Sequence, residues 1–241
     1  MGQTIGERLC KLPMSSASLV ILASHSSGWL AINKPTGVLS HPNANGRGSA
    51  LLPFPYDAKE EYYHAEDGNY YLIHRLDGPT SGVLLIATNQ TLAEALRQCF
   101  EGRNVEKVYY AWVKGFFQKK TGTWKHLLKK ERGANSVKMQ VGGSLTAETR
   151  YKCVDATRTP LGTFSLLELT PLTGRTHQLR IQCAENHTPI LGDESYGDFA
   201  LNKRLKQSGL RRLLLHAYSL KIPQYAIDVQ APLGADFKRW A

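Results

Sequence analysis

The sequence has no C-x-x-C pair and no histidine beside a cysteine at zinc-finger spacing; its four cysteines stand apart at 10, 99, 153 and 183. This excludes a cysteine-based metal module and leaves free thiols in a reducing compartment as the expectation. Cys99 and Cys183 fall within apolar helical patterns, as small buried hydrophobes do. No metal and no cofactor is implied. Long apolar runs are also lacking: nothing approaches the 18 consecutive apolar residues of a membrane span. The N-terminal run Leu19 to Ala23, with Glu7 upstream, is too short for a signal-peptide core. The expectations are therefore a cytoplasmic location and no membrane partner.

Acidic side chains are the scarce charge, 20 against 30 basic, which leaves a net charge of +10 and a pI near 9.5. Such a field favours a polyanion, and lysines and arginines displace the counterions of phosphates, so nucleic acid is the leading partner class. An anionic surface or plain solubility remains open on charge alone. With 42% hydrophobic and 21% charged residues the chain falls in the globular class, away from disorder. There is no internal repeat, no low-complexity tract and no Pro/Gly/Ser linker, so 241 residues read as one large domain or one plus a small appendage.

Leu19 to Leu39 reads as two short strands broken at Ser27-Gly28, followed by turn punctuation at Pro35 and Gly37. Residues 42–69 carry weak periodicity and read mostly as loop. Tyr70 to Ile73 and Val83 to Ala87 are strand-length apolar runs. Residues 90–102 carry Leu92, Ala95, Leu96, Cys99 and Phe100 at helical spacing, with Thr91 and Glu94 compatible with a capping box and Gly102 as a stop. Val105 to Phe117, Ala147 to Val154, Phe164 to Leu172 and Leu213 to Ile222 read as strands. Residues 119–132 read as a basic exposed hairpin or loop, and 176–186 and 198–207 as helices. About nine strands against two or three helices, in runs, indicate an α+β fold with a mostly antiparallel mixed β-sheet and flanking helices.

Four segments are placed to carry chemistry. The turn His74-Arg75-Leu76-Asp77-Gly78-Pro79-Thr80-Ser81-Gly82 hangs between two apolar strands, so Asp77 is either a rigidly presented carboxylate or a structural Asx turn. Gly174-Arg175-Thr176-His177-Gln178-Leu179-Arg180 opens a helix out of a strand, with Thr176 and Arg180 on one face. It is either an anion site with two arginines or a pair of solvated arginines beside a structural histidine. Asn33 to Pro42 places Lys34 at a strand end before a Pro-Gly turn, by itself an ordinary turn with a solvated lysine. In Lys107 to Gly115, alternation puts Lys107, Tyr109 and Ala111 on one face and Val108, Tyr110 and Trp112 on the other.

In this order and spacing the four segments resemble the RluA-type pseudouridine synthase family, whose H-R-L-D-x-x-T-S-G signature is matched by His74 through Gly82. The N-K-P-x-G-x-x-x-H-P start, the K-x-Y strand, T-G-R-T-H-Q-L-R, the following P-I-L-G-D with Tyr196-Gly197, and Leu215-His216-Ala217 look like family pieces. The resemblance runs from about Trp29 to the C-terminal strand. It implies the pseudouridine synthase catalytic fold over 29–241 with a short N-terminal extension, 1–28, too short for the S4-like RNA-binding module of many relatives. It also implies an isomerase that breaks the N1–C1′ bond of a uridine in ribosomal or transfer RNA and rejoins the uracil through C5. No cofactor is required, RNA is the partner, and a monomer needing no protein partner is expected.

By resemblance Asp77 is the nucleophile, attacking C6 of the base or C1′ of the sugar, and Arg180 pairs with it, lowering its pKa against burial. Tyr109 packs on the base and assists proton removal. The substrate-binding candidates are Arg75, which enters the space left by the flipped base, Leu179 as apolar wall, and Arg175, His177 and Lys34. Gly78-Pro79 stands where relatives often carry a charged or polar residue. Lys203, Arg204, Lys206, Arg211, Arg212 and the 119–132 segment either contact phosphates or form solvated faces. A non-catalytic RNA-binding or RNA-chaperone protein on the same scaffold is the alternative; a nucleotide hydrolase using Asp77 and His177 lacks a metal or phosphate-loop signature.

Overall fold

The computed structural model describes residues 19–42, 50–132 and 137–239. In chain order the first elements are β1 (Val20–Ser24), β2 (Trp29–Lys34), β3 (Tyr56–Asp57), β4 (Tyr62–Ala65), β5 (Gly68–Leu72), β6 (Ser81–Ala87) and helix α1 (Gln90–Glu101). There follow β7 (Glu106–Lys114), β8 (Thr121–Arg132), β9 (Val137–Val141), β10 (Leu145–Thr159), β11 (Gly162–Pro171) and α2 (Gln178–Glu185). The chain closes with α3 (Phe199–Gln207), β12 (Leu215–Ile222), β13 (Ile227–Gln230) and α4 (Ala235–Lys238). The class is α+β with a mostly antiparallel mixed sheet, as the runs of elements indicate. None of the described helices is long and apolar enough to cross a membrane.

The chain divides into two compact units, Met1–Glu106 with Ala217–Pro232 and Lys107–His216 with Leu233–Ala241. In the first, strands run in the order β3-β4-β5-β6-β12, with β2 also on β6, β1 on β2 and β13 on β12. β6 pairs antiparallel with β2 and with β5, as in Trp29↔Ala87 and Tyr71↔Ala87. Helix α1 covers this sheet: its Ala93, Leu96 and Cys99 bury against Trp29, Ala31, Tyr71, Val83, Leu85, Leu220 and Ile227. The helical spacing is thus borne out, but the cap is Asn89, whose side chain accepts from Leu92 N–H at 2.9 Å. Glu94 is taken instead by Gln90 Nε2 at 2.9 Å, one turn back on the helix surface, so no Thr91–Glu94 box forms.

Two stretches hold more strand than their sequence pattern shows. Within 42–69 the structure places β3, β4 and the start of β5, held by cross-strand aromatic pairs, Tyr56 with Tyr63 and Tyr62 with Tyr71. These strands are too short for alternation to show. Asn43, Asn45 and Gly46 of the same stretch lie outside the described residues. Of the two readings for the basic segment the hairpin holds: residues 121–132 form a twelve-residue strand, β8, one arm of a hairpin with β9 that also pairs with β10. The sheet also begins at Val20, ahead of Trp29.

The second unit has the order β7-β11-β10-β8-β9. The alternation on β7 is borne out, because each face has its own core. Tyr109, Ala111 and Val113 pack with Leu167, Leu169, Leu179 and Cys183, while Tyr110 and Trp112 pack with Phe164, Leu201, Leu205 and Phe237. Cys99, Cys153 and Cys183 are buried free thiols, and burial pushes the Cys183 thiol up.

Gly82, at the start of β6, adopts φ +114°, and a Cβ there would lie 2.1 Å from the Ala217 carbonyl oxygen on β12. Only glycine allows this backbone approach. Gly82→Ala is expected to destabilise the first unit by about 2 kcal/mol or more, read as a fall in the denaturant midpoint.

Candidate active site

In the first unit, the Asp77 turn is clamped from below by the Lys34 segment. Lys34 ends β2 and is completely buried, and its Nζ donates to the carbonyls of Pro35 (3.0 Å), Val38 (2.6 Å) and Gly78 (3.1 Å). A buried ammonium is tolerable only when its protons find acceptors, and three carbonyls from two turns supply them. Further bonds stitch the same turns together: Gly37 N–H to Gly78 O at 2.8 Å and Thr36 Oγ1 to Pro79 O at 2.8 Å. Ser40 Oγ donates to Leu76 O and accepts from Leu76 N–H. Thr80 N–H closes the turn on Asp77 O at 2.9 Å.

Asp77 is therefore half-buried on a turn whose backbone is hydrogen-bonded on both sides of it. The reading of a solvated lysine is corrected: Lys34 is wholly buried, with its ammonium on backbone carbonyls. It is a positioning residue beneath the turn. Lys34→Met keeps the stem but takes the ammonium donor from three carbonyls, of which Gly78 O keeps Gly37 N–H, and is expected to cost about 2–4 kcal/mol in chemical denaturation. Arg75 is exposed, as a residue reaching for a ligand must be, with Nη1 3.1 Å from His41 Nε2, and His41 stacks on Tyr56. His74 accepts from Leu85 N–H at 3.1 Å and stacks on Phe100, so it anchors the turn to the sheet.

In the second unit, Tyr109 is half-buried against the cluster containing Leu179, which is itself buried. Two residues earlier on the same face, Lys107 reaches the Thr173-Gly174 turn: a Cβ on Gly174 would stand 4.0 Å from its Nζ. Burial pulls its pKa below the usual lysine value.

Arg180 is buried, not solvated. Its Nε and Nη2 donate to Asp193 Oδ2 and Oδ1, both at 2.8 Å, in a two-pronged pair, with Asp193 only 1% exposed. Asp193 Oδ1 also accepts from Ser195 and Tyr196 N–H. The Tyr196 ring lies 5.1 Å from the guanidinium carbon. Burial would raise the Asp193 carboxyl, but Arg180's hydrogen bonds and charge and the two N–H donors outweigh it and hold the group below the ordinary range. The turn around Asp193 depends on its flanking glycines. A Cβ at Gly192 would be 1.9 Å from Arg212 O, and one at Gly197 2.2 Å from Asp193 O.

Helix α2 starts at Gln178, later than Thr176, so Thr176 and Arg180 do not share a helical face: Thr176 is exposed outside the helix. His177 takes φ +52° at the helix start, and its Nδ1 lies 2.8 Å from the Tyr196 hydroxyl, which also accepts from Met139 N–H. Arg175 Nε donates to Thr146 O at 3.1 Å. The helix is fastened to the sheet by two buried glutamines that sequence reasoning missed. Gln178 bonds Thr173, Arg175 N–H, Glu148 O and Thr149, while Gln182 accepts from Thr149 and donates to Trp124 O and Ala147 O. Their signal was a glutamine at i and i+4, on one side of the helix. Asp193 and Tyr196 were legible only as family pieces without a role.

The sequence pattern described as RNA pseudouridylate synthase matches residues 28–185. A ribosomal large subunit pseudouridine synthase C of Haemophilus ducreyi is 36% identical over 216 residues, which is 87% of this chain and 64% of that protein. A tRNA pseudouridine synthase C of the same organism is 36% identical over 197 residues, 78% of this chain and 79% of that one. Among solved structures, human RNA pseudouridylate synthase domain containing 1 is similar at a TM-score of 0.70 and 26% identity. It covers 92% of this chain and 86% of its own. The chain thus spans just under two thirds of the first of these relatives.

Proposed function

The chain belongs to the RNA pseudouridylate synthase family, and from that premise we propose that it isomerises one or more uridines in ribosomal or transfer RNA to pseudouridine. The observation that carries this reading is the clamped turn of Asp77, with Lys34 Nζ on the Gly78 carbonyl. A nucleophile must be held still, and every bond around it serves that end. In the reaction the N1–C1′ bond breaks, the uracil turns while bound, C5 bonds to C1′, the C5 hydrogen leaves as a proton, and N1 takes up a proton, so that the product is an isomer of the uridine. Asp77 acts as nucleophile, Tyr109 packs on the base and assists removal of the proton, and Arg180 serves as the ionic companion of the nucleophile.

Leu179 supplies apolar wall, and Arg75 fills the stack after the base has flipped out, a step costing about a few kcal/mol. The bidentate grip of Asp193 supports Arg180's part by fixing its guanidinium before substrate arrives. His177 and Arg175 support the entry to α2 and contribute to substrate binding through that turn. The chain works as a monomer in the cytoplasm.

The test is tritium release from unmodified ribosomal and transfer RNAs carrying [5-³H]uridine. Release is expected from one RNA class; salt-sensitive binding without release from any would replace the isomerase by an RNA-binding protein. The phosphate path is proposed along β8 and the residues leading into it, where Lys119, Lys120, Lys129 and Lys130 are exposed. Lys206 and Arg212 are committed to Glu194 and Asp236. Alanine at those four lysines is expected to weaken RNA binding and to lower the salt slope by up to about one for each phosphate no longer neutralised. An unchanged slope places the path elsewhere.

A further inference from the structure

Within the second unit, a groove of about 460 Å³ opens between the end of β7 (Lys114, Gly115, Phe116), the β10–β11 turn (Leu161 to Phe164) and the start of α3. That size falls within the range of small-molecule sites. Its floor is apolar, with Phe164 and Leu201 buried beneath it. Its lip is Phe116, 61% exposed, and Phe199, next in sequence to the lining residues Asp198 and Ala200, is 65% exposed. These are the two most exposed large apolar side chains among the described residues. Neither belongs to a core cluster or to the machinery assigned above.

Beyond one engaged acid, the charged side chains at the groove are basic. The acid at its rim, Asp198, is already engaged: Oδ1 accepts from Leu201 N–H at 2.9 Å and Oδ2 pairs with Lys114 Nζ at 2.7 Å. Because that carboxylate sits on the start of α3, the helix end itself is closed to an anion. The cations that remain are Arg204 and Lys120. Arg204 rests its Nη2 on the neutral Pro160 carbonyl at 3.4 Å. Lys120 Nζ stands 4.9 Å from the Phe116 ring centre and 3.9 Å from the Cys153 sulfur.

An exposed aromatic face over an apolar floor, flanked by cations, is what an unpaired nucleotide requires: a flat surface for the base and positive charge for the phosphate. We propose that this groove is a second RNA contact, accepting one unpaired nucleotide of the substrate RNA with its base on Phe116 and its phosphate against Arg204 and Lys120. The assignment rests on the RNA reading above. It gives the chain a way to favour targets that carry an unpaired residue besides the modified uridine. Stacking selects against paired RNA, because a base in a duplex has both faces covered.

The test measures anisotropy of fluorescein-labelled oligouridine and of a blunt RNA duplex with the full chain carrying Asp77→Asn, so that no turnover intervenes. Phe116→Ala is expected to weaken oligouridine binding about tenfold and duplex binding little, and Phe116→Trp to retain it. Arg204→Ala is expected to lower the salt slope by about one. Photocrosslinking with 4-thiouridine oligonucleotide should label the peptide containing Phe116. Equal oligouridine affinity in the Ala and unsubstituted proteins, equal losses for duplex and single strand, or crosslinks confined to other peptides would overturn the proposal. Tritium release by the otherwise unsubstituted chain separates the two readings. Release with Phe116-independent binding overturns the groove alone, whereas Phe116-dependent binding without release sustains the groove and overturns the isomerase.

Discussion

Asp77→Asn is expected to abolish tritium release, with a loss in kcat of at least about 10⁴-fold, while RNA binding and thermal stability stay nearly unchanged. Asparagine is isosteric but has no anionic oxygen to attack with. The turn itself is held by backbone and neighbouring side chains: Lys34 on Gly78 O, Thr36 on Pro79 O, Ser40 on Leu76, and Thr80 N–H on Asp77 O. These bonds do not use the Asp77 carboxylate, so they stay in place when the charge is removed, and the chain is expected to remain folded. Single-turnover release with excess protein is the measurement. Turnover within tenfold of the unsubstituted protein would exclude Asp77 as nucleophile.

Asp193→Ala is expected to have the largest effect on stability. It leaves the Arg180 guanidinium buried without its two-pronged acceptor, and breaking one side of a buried pair costs about 3–5 kcal/mol. In a chain of this size that is a fall in melting temperature of about 10 °C or more. Activity should fall as well, even well below the melting temperature, because the guanidinium loses the partner that orients it. Asp193→Asn keeps one carbonyl acceptor and the shape of the turn, so its losses should be smaller in both respects.

The pH dependence follows from the direction of the carboxyl's shift. The Asp193 pKa in the folded chain lies below its ordinary value of 3.8. The pair's contribution is therefore complete above that ordinary value and is lost as pH falls through the lowered one. The stability gap between the native protein and Asp193→Asn should be constant from neutral pH to about 5 and close only in stronger acid. Denaturant midpoints across that range check this. A gap that closes near neutrality would show that Asp193 is not the ionised partner of Arg180.

How much of this was open to sequence reading depended on the distance between interacting residues. Helix α1 was legible because Leu92, Leu96, Cys99 and Phe100 repeat at 3.6 residues and need no partner to be recognised. The two faces of β7 were legible because alternation is local. Strands β3 and β4 were not, since two- and four-residue strands carry too few alternations, and their support comes from aromatic pairs across the ladder. The β8 strand was hidden by its charges. Lys125 and Lys129 lie on one side and Trp124 and Leu128 are buried on the other, with Lys130 and Glu131 adding polar noise.

The sequence by itself determined the α+β class, the family, and the turn that carries Asp77, because a nine-residue signature between two apolar runs is a local property of the chain. It also determined that Tyr109 and Arg180 merit attention. Only the tertiary structure decided what those residues are tied to. Lys34 looked like a solvated cation and proved to be the buried clamp under the Asp77 turn, since its acceptor on Gly78 is 44 residues away. Arg180 proved to be gripped by Asp193, 13 residues on and beyond a helix end. A burial and a hydrogen bond are joint properties of residues brought together by folding, and no pattern along the chain expresses them.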